Sequence, residues 1–310
     1  MTRVLQYEPR DLTISVEAGI RYWDLANLLA ANQQMIPLDP PWAEQVTMAG
    51  VLGANLSGPR RRLYGTARDL VIGMTFATLE GKLVQSGGMV VKNVAGLDMA
   101  KLLIGSFGTL AAIATVNFKL NPIPNESCTL GFSFATSSEA FDLRDRVLKG
   151  QLQPAALDLL NPAASSRLGL DASWNLILLA VAVPERFEKE YVGSKRLEDA
   201  IWAKIREFTP AYLGETAGAK IARCSSTHMG LKALIHDGQK TPAVARAASG
   251  IAYLYGDATV PVGTQHVYEY APPGVDRWPT LGSDFAVMQR LKAMFDPEGL
   301  LNKGALYGRI

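Results

Sequence analysis

The chain has 310 residues, 48% hydrophobic and 19% charged, enough for two ordinary globular domains and too apolar for long disorder. Lysine and arginine number 31 against 29 acidic residues, so no broad positive field marks a nucleic-acid binder. Its two cysteines, Cys128 and Cys224, cannot supply the four thiolates of an ordinary iron–sulfur cluster. They are expected to be reduced thiols of a cytoplasmic protein, and no apolar run reaches the ~20 residues of a membrane span.

In chain order, Leu12, Ile14 and Val16 alternate with polar residues, the period of a half-buried strand that Gly19 ends. Tyr22 to Ala31 has helical spacing, and Pro37, Pro40 and Pro41 then impose an extended loop. Thr47 can cap a short helix running to Asn55, with Gly58-Pro59 as its stop. Leu70 to Thr78 and Lys82 to Gln85 read as a strand pair around Glu80-Gly81. A short helix runs from Asp98 to Gly105, and Ile113 to Leu120 is another strand.

Asn121-Pro122-Ile123-Pro124 marks a domain boundary. Beyond it come a strand (Thr129 to Phe134), a helix (Ser138 to Leu148), strands near Ala155 to Leu160 and Leu176 to Val183, and a long helix from Arg186 to Phe208. That order predicts a split βαβ, ferredoxin-like sheet with helices on one face. Gly214 to Pro261 yields only one clear strand, Ile251 to Tyr255. Phe285, Met288, Leu291 and Phe295 form one apolar stripe on a helix that stops at Asp296-Pro297. No internal repeat is visible. The fold class is α+β, with domains at 1–122 and 123–280 and a C-terminal helix and tail at 281–310 that return to the first domain.

Glycine concentrates in three places: Gly50, Gly53 and Gly58 around Ala49-Gly50-Val51-Leu52-Gly53-Ala54-Asn55; Gly87-Gly88; and Gly105-Ser106-Phe107-Gly108-Thr109. A glycine inside a helix costs about 1 kcal/mol relative to alanine, so Gly50 and Gly53 need a reason. Close packing is one; bare amides facing a ligand's phosphates or ring edge are the other. No GxGxxG follows a first strand and no phosphate-loop GKS or GKT occurs, which disfavours nicotinamide binding and nucleotide hydrolysis.

Gly50-Val51-Leu52-Gly53-Ala54-Asn55-Leu56-Ser57-Gly58-Pro59-Arg60-Arg61, then Tyr64-Gly65-Thr66-Ala67-Arg68-Asp69, resembles the second half of the FAD domain of the p-cresol methylhydroxylase and vanillyl-alcohol oxidase (PCMH-type) superfamily. Ser57-Gly58-Pro59-Arg60-Arg61 and Lys92-Asn93-Val94-Ala95-Gly96, at this spacing and with Leu102-Leu103-Ile104-Gly105-Ser106-Phe107-Gly108-Thr109-Leu110 after them, are similar to the E-type subunits of glycolate oxidase. The tail around Asn302-Lys303-Gly304 resembles that family's closing Asn-Pro-Gly, with lysine in place of proline. The family's glycine-rich βαβ subdomain is not found, so the flavin domain is expected to be truncated at its N-terminus.

The resemblance implies FAD, held by Gly50, Gly53, Asn55, Gly58, Lys92, Asn93, Gly108, Thr109, Ile113 and Asn302. No histidine or cysteine lies between Met1 and Pro122, so no covalent flavin link through those types forms there. It also implies a 2-hydroxy acid substrate, and a D-type flavoprotein and an F-type iron–sulfur subunit as partners, through which alone the protein meets a membrane. Catalytic candidates are His266 and Arg246, the latter either a carboxylate-binding fork or a surface cation. Asp69 is assigned to holding Arg68 or its loop, and Arg60-Arg61-Arg62 to a solvated loop. His228 and His236 fit no metal motif, and no metal is expected. The competing expectation is a non-catalytic subunit that keeps the fold as a docking surface.

Overall fold

A computed structural model describes residues 1–89, 97–279 and 281–310. The chain forms two compact units, one of Met1–Gly58, Tyr64–Ile123 and Thr280–Ile310, the other of Pro59–Leu63 and Pro124–Pro279.

The first unit holds an antiparallel sheet of β1 (Val4–Glu8), β2 (Thr13–Glu17), β3 (Val71–Ala77), β4 (Leu83–Gly87) and β5 (Ala112–Lys119), in the order β1-β2-β5-β3-β4. Strand β2 is buried along its whole length: Ile14 and Val16 enter the core, while Glu17 turns to Arg3, whose Nη2 donates to it at 2.8 Å. Helix α1 (Tyr22–Ala30) adds Tyr22, Leu25 and Leu29 to that core, and α2 (Met48–Gly53) adds Met48, Val51 and Leu52. A one-turn helix α3 (Met99–Leu103) begins at Asp98, which accepts from the Lys101 amide. The C-terminal helix Phe285–Phe295 buries Phe285 and packs Phe295 against the core, as the apolar stripe implies.

The second unit is an eight-stranded antiparallel sheet. Its first half contains β6 (Ser127–Phe134), α4 (Ser137–Lys149), β7 (Ala156–Leu160), α5 (Pro162–Arg167), β8 (Trp174–Val181), α6 (Pro184–Glu190) and β9 (Lys195–Leu197). Helices α7 (Ala200–Arg206) and α8 (Phe208–Glu215) follow, then β10 (Ile221–Ser225), α9 (Leu231–Leu234), β11 (Ala243–Arg246), β12 (Ile251–Tyr255) and β13 (Gln265–Tyr270). The sheet order is β9-β6-β8-β7-β11-β12-β10-β13.

That order contains the split βαβ expected from the sequence, with β9 as its fourth strand, and then a second one from β10 onward laid edge to edge with the first. The two halves meet where β7 pairs with β11 through Val244↔Leu160, Ala245↔Leu159 and Arg246↔Asp158. The sequence shows no repeat; the topology does.

Strand alternation assigns the two faces. Leu157, Leu159, Leu176, Leu178, Ala243 and Ala245 pack with α4, α6 and α9, while Leu160, Ile177, Val244 and Tyr255 pack with α5, α7 and α8. Helices therefore cover both faces, where the sequence had suggested one. The expected long helix from Arg186 to Phe208 is broken by Gly193 at φ 92°, a backbone state open to glycine, and by the short edge strand β9.

Candidate functional site

The glycine cluster is assembled from three stretches of the first unit. Thr47 accepts a hydrogen bond from the Gly50 amide and starts α2. The end of α2 is tied to the turn after α3: Gly105 N donates to Leu52 O and Phe107 N to Gly53 O, both at 2.9 Å. The Asn302 side-chain amide then donates to the Phe107 carbonyl. Asn55, Phe107 and Asn302 hold positive φ of 51°, 54° and 42°, which non-glycine residues rarely adopt and which collects at functional sites.

A Cβ built on each glycine separates the two explanations for its presence. On Gly50 it would stand 3.5 Å from Thr47 Oγ1, on Gly53 3.9 Å from Gly108 N, and on Gly108 within 4 Å of nothing. Neighbouring protein atoms therefore do not demand glycine at 50 or 53. At Gly58 they do: a Cβ would meet Asp39 O at 2.3 Å. Gly58 is explained by packing.

The surface left by Gly50, Asn55 and Gly108 is exposed. Among the described residues, the Gly108 amide and the Asn55 side chain have no hydrogen-bond partner. The cluster thus offers a smooth backbone edge with unused donors, which suits a flat ring or a phosphate.

Other expected ligands are placed differently. Thr109 is buried, and its amide and hydroxyl both donate to Ser106 O, at 3.0 and 2.7 Å, so neither donor is left for a ligand. Ile113 lies half-buried in β5, paired with Phe76. Lys92 and Asn93 lie outside the described residues. Asp69 accepts from the Thr66 amide at 2.8 Å, while Arg68 donates to Lys101 O; Asp69 holds its loop and not Arg68.

Residues that the sequence reading left without a role brace the turn. Lys292 Nζ donates to Thr109 O and Leu301 O, both at 2.8 Å, and to Asp296 Oδ2 at 2.5 Å. Asp296, fully buried, also accepts from the Leu300 and Leu301 amides at 2.9 and 2.7 Å. Burial pushes its carboxyl up, but these hydrogen bonds and the Lys292 charge prevail and hold it at about 2. The i,i+4 spacing of Lys292 and Asp296 was a legible sign of the pair.

In the second unit, Arg246 is buried and ion-paired with Asp158, its partner across the β7–β11 seam. Burial opposes its charge, yet Asp158 and the nearby Tyr253 and Tyr255 keep its pKa raised. Its Nε finds no hydrogen-bond partner among the described residues. Arg223 meets Glu269 at 2.9 Å, and burial raises both the Glu269 carboxyl and the Tyr253 hydroxyl, the latter despite Arg246, Arg223 and Arg61 nearby. Arg60, Arg61 and Arg62 are half-buried and not a free solvated run; Arg62 bonds Gln153 at 2.5 Å. His266 lies on β13 with Nδ1 3.0 Å from Thr264 O and its ring against Tyr268.

Cys128 and Cys224 are free and buried, and burial raises the Cys224 thiol to about 11. Among the described residues no three His, Cys, Asp or Glu side chains gather to hold a metal, and no helix is long and apolar enough to cross a membrane.

Comparison with known proteins agrees with the chemistry of this cluster. Residues 1–87 match the FAD binding domain family, and residues 281–306 match the C-terminal domain of FAD linked oxidases. Over 99% of its length the chain is 25% identical to glycolate oxidase subunit GlcE of Escherichia coli, covering 85% of that protein. Glycolate oxidase subunit GlcD of Bacillus subtilis is 28% identical over 58% of the chain, which spans only 39% of that relative. The solved structure of an alkyldihydroxyacetonephosphate synthase superposes with a TM-score of 0.72 at 17% identity, over 97% of this chain and 66% of the other. The architecture is that of PCMH-type FAD-binding proteins, and FAD is the cofactor.

Proposed function

We propose that this chain, a GlcE-like FAD-linked oxidoreductase, is the flavin-holding subunit of a glycolate oxidase-like complex, passing electrons from a 2-hydroxy acid to partner subunits. The observation that carries the reading is the exposed backbone edge of Gly50 and Gly108 beside Asn55, which among the described residues has unused donors. Its position in a chain related to GlcE and GlcD adds the oxidase setting.

FAD supplies the hydride and electron transfer when bound; the chain's part is to bind, orient and shield it. Gly53 and Gly50 admit a close approach to the backbone, and Gly108 N and Asn55 donate to polar edges. Lys92 and Asn93 are assigned to the same cofactor on sequence grounds. Arg246, the candidate to take the substrate carboxylate because arginine binds carboxylates bidentately, would have to give up Asp158 to do so, as Arg223 would have to give up Glu269. His266 is the candidate to accept a proton from the hydroxyl. A D-type flavoprotein and an F-type iron–sulfur subunit are the proposed partners, and any membrane contact runs through them.

The visible spectrum of the 310-residue chain after incubation with FAD and desalting tests the reading. A retained flavin band is the expected result. A colourless protein that is folded by circular dichroism would overturn flavin binding and leave a docking subunit of the same complex.

A further inference from the structure

Besides the Phe107 amide, which Gly53 O accepts, two carbonyls of the turn Phe107-Gly108-Thr109 are gripped by the C-terminal segment. Asn302 Nδ2 donates to Phe107 O, and Lys292 Nζ to Thr109 O at 2.8 Å. The Phe107 carbonyl belongs to the same planar peptide unit as the Gly108 N–H, and in a trans unit the two point opposite ways. Anchoring that carbonyl therefore aims the Gly108 amide away from Asn302, and among the described residues the amide has no hydrogen-bond partner.

The Lys292 ammonium has three protons and three acceptors, Thr109 O, Leu301 O and Asp296 Oδ2, so it is saturated and has none left for a ligand. Asp296 in turn takes the Leu300 and Leu301 amides, which fixes the approach of the chain to Asn302. We propose that Asn302 and the Lys292–Asp296 pair are positioning residues, which aim the Gly108 amide at the cofactor by holding the carbonyls on either side of it. This rests on the flavin reading above and deepens it. It also changes the role expected of Asn302, which acts on the turn and not on FAD.

The test uses the full chain with Asn302→Ala and Asn302→Asp, the second keeping the side chain's shape but removing its donor. Lys292→Met is a third variant. FAD dissociation constants come from flavin fluorescence titration, thermal midpoints from circular dichroism, and amide hydrogen exchange of residues 105–110 from the protein without FAD.

Both Asn302 variants should weaken FAD roughly tenfold, the loss of about one well-made hydrogen bond. Exchange at the Phe107 and Thr109 amides should quicken, with the thermal midpoint nearly unchanged. Unchanged affinity alongside faster exchange would overturn the positioning role, as would unchanged exchange. Should Lys292→Met fail to fold, the Asn302 pair still decides. If the unaltered chain binds no FAD at all, the flavin reading fails first and takes this proposal with it. Binding by the unaltered chain but not the predicted loss in the variants sinks only the proposal.

Discussion

The buried pair at the seam of the eight-stranded sheet gives the sharpest energetic prediction. Asp158 is fully buried and Arg246 only 7% exposed, and they are cross-strand partners. Replacing Asp158 with alanine leaves a guanidinium in the interior with no carboxylate, and its Nε already lacks a hydrogen-bond partner among the described residues. Removing one member of such a pair costs about 3–5 kcal/mol. With a urea slope of about 2 kcal/mol/M, the unfolding midpoint should fall by roughly 1.5–2.5 M. The double change Asp158→Leu with Arg246→Met removes both charges at similar volume and should restore most of that stability or exceed it. Trp174, buried in this unit, reports the transition by fluorescence. A single variant that shifts the midpoint by less than about 0.3 M, or a double variant no better than the single, would refute a structural seam lock. Arg246 would then be free for a substrate.

Gly50 and Gly58 should respond in opposite directions. Gly50→Ala, with no clash in α2, should stabilise by roughly 0.5–1 kcal/mol while weakening FAD retention, whereas Gly58→Ala, driven into the Asp39 carbonyl, should destabilise by roughly 1–3 kcal/mol; thermal melts and flavin titration separate the two. Asp296 is depressed from an ordinary 3.8 to about 2, so its contribution is complete above pH 4 and is lost as pH falls through about 2. The stability gap between the unaltered chain and Asp296→Asn, measured by urea melts, should therefore close between pH 4 and 2; a gap that stays constant across that range would contradict the assignment. Cys224, raised to about 11 by burial, should resist thiol reagents at pH 8 in the native protein and react only after denaturation.

Much of the fold was legible because its elements follow simple periods. Ile251–Tyr255 forms the strand that its β-branched and aromatic residues indicate, and the helix expected from Ser138 to Leu148 forms as α4, one residue longer at each end. The run after Pro184 misled because its charged residues favour helix, while one left-handed glycine at 193 ended it. The repeated half was hidden for a different reason. Its helix α9 has a single turn, and β11, Ala-Val-Ala-Arg, is rich in alanine, a poor strand former. At the site, the glycines were legible as anomalies, but packing and ligand approach could be separated only by asking what each missing Cβ would strike. The brace from Lys292, 183 residues beyond Thr109, carries no local signal of its destination.

The paired halves of the second unit also set an order of events for the folding chain. Inside the first half the pairings reach from Asn175↔Leu160 to Leu197↔Thr129, and inside the second to Ile221↔Tyr270, so each half closes its own loops before the seam can form. The seam joins the segments farthest apart in this sheet, with Arg246 88 residues from Asp158, and its closure makes one sheet of the two halves. Residues at the seam should accordingly be late to form, with mutations there accelerating unfolding far more than they slow folding. A ribosome delivers the first half complete, with its β7 edge unpaired, before β11 exists to cover it. For that interval the nascent sheet carries a bare edge with a buried-type carboxylate at Asp158, and an inward charge on an open edge discourages pairing with the wrong neighbour.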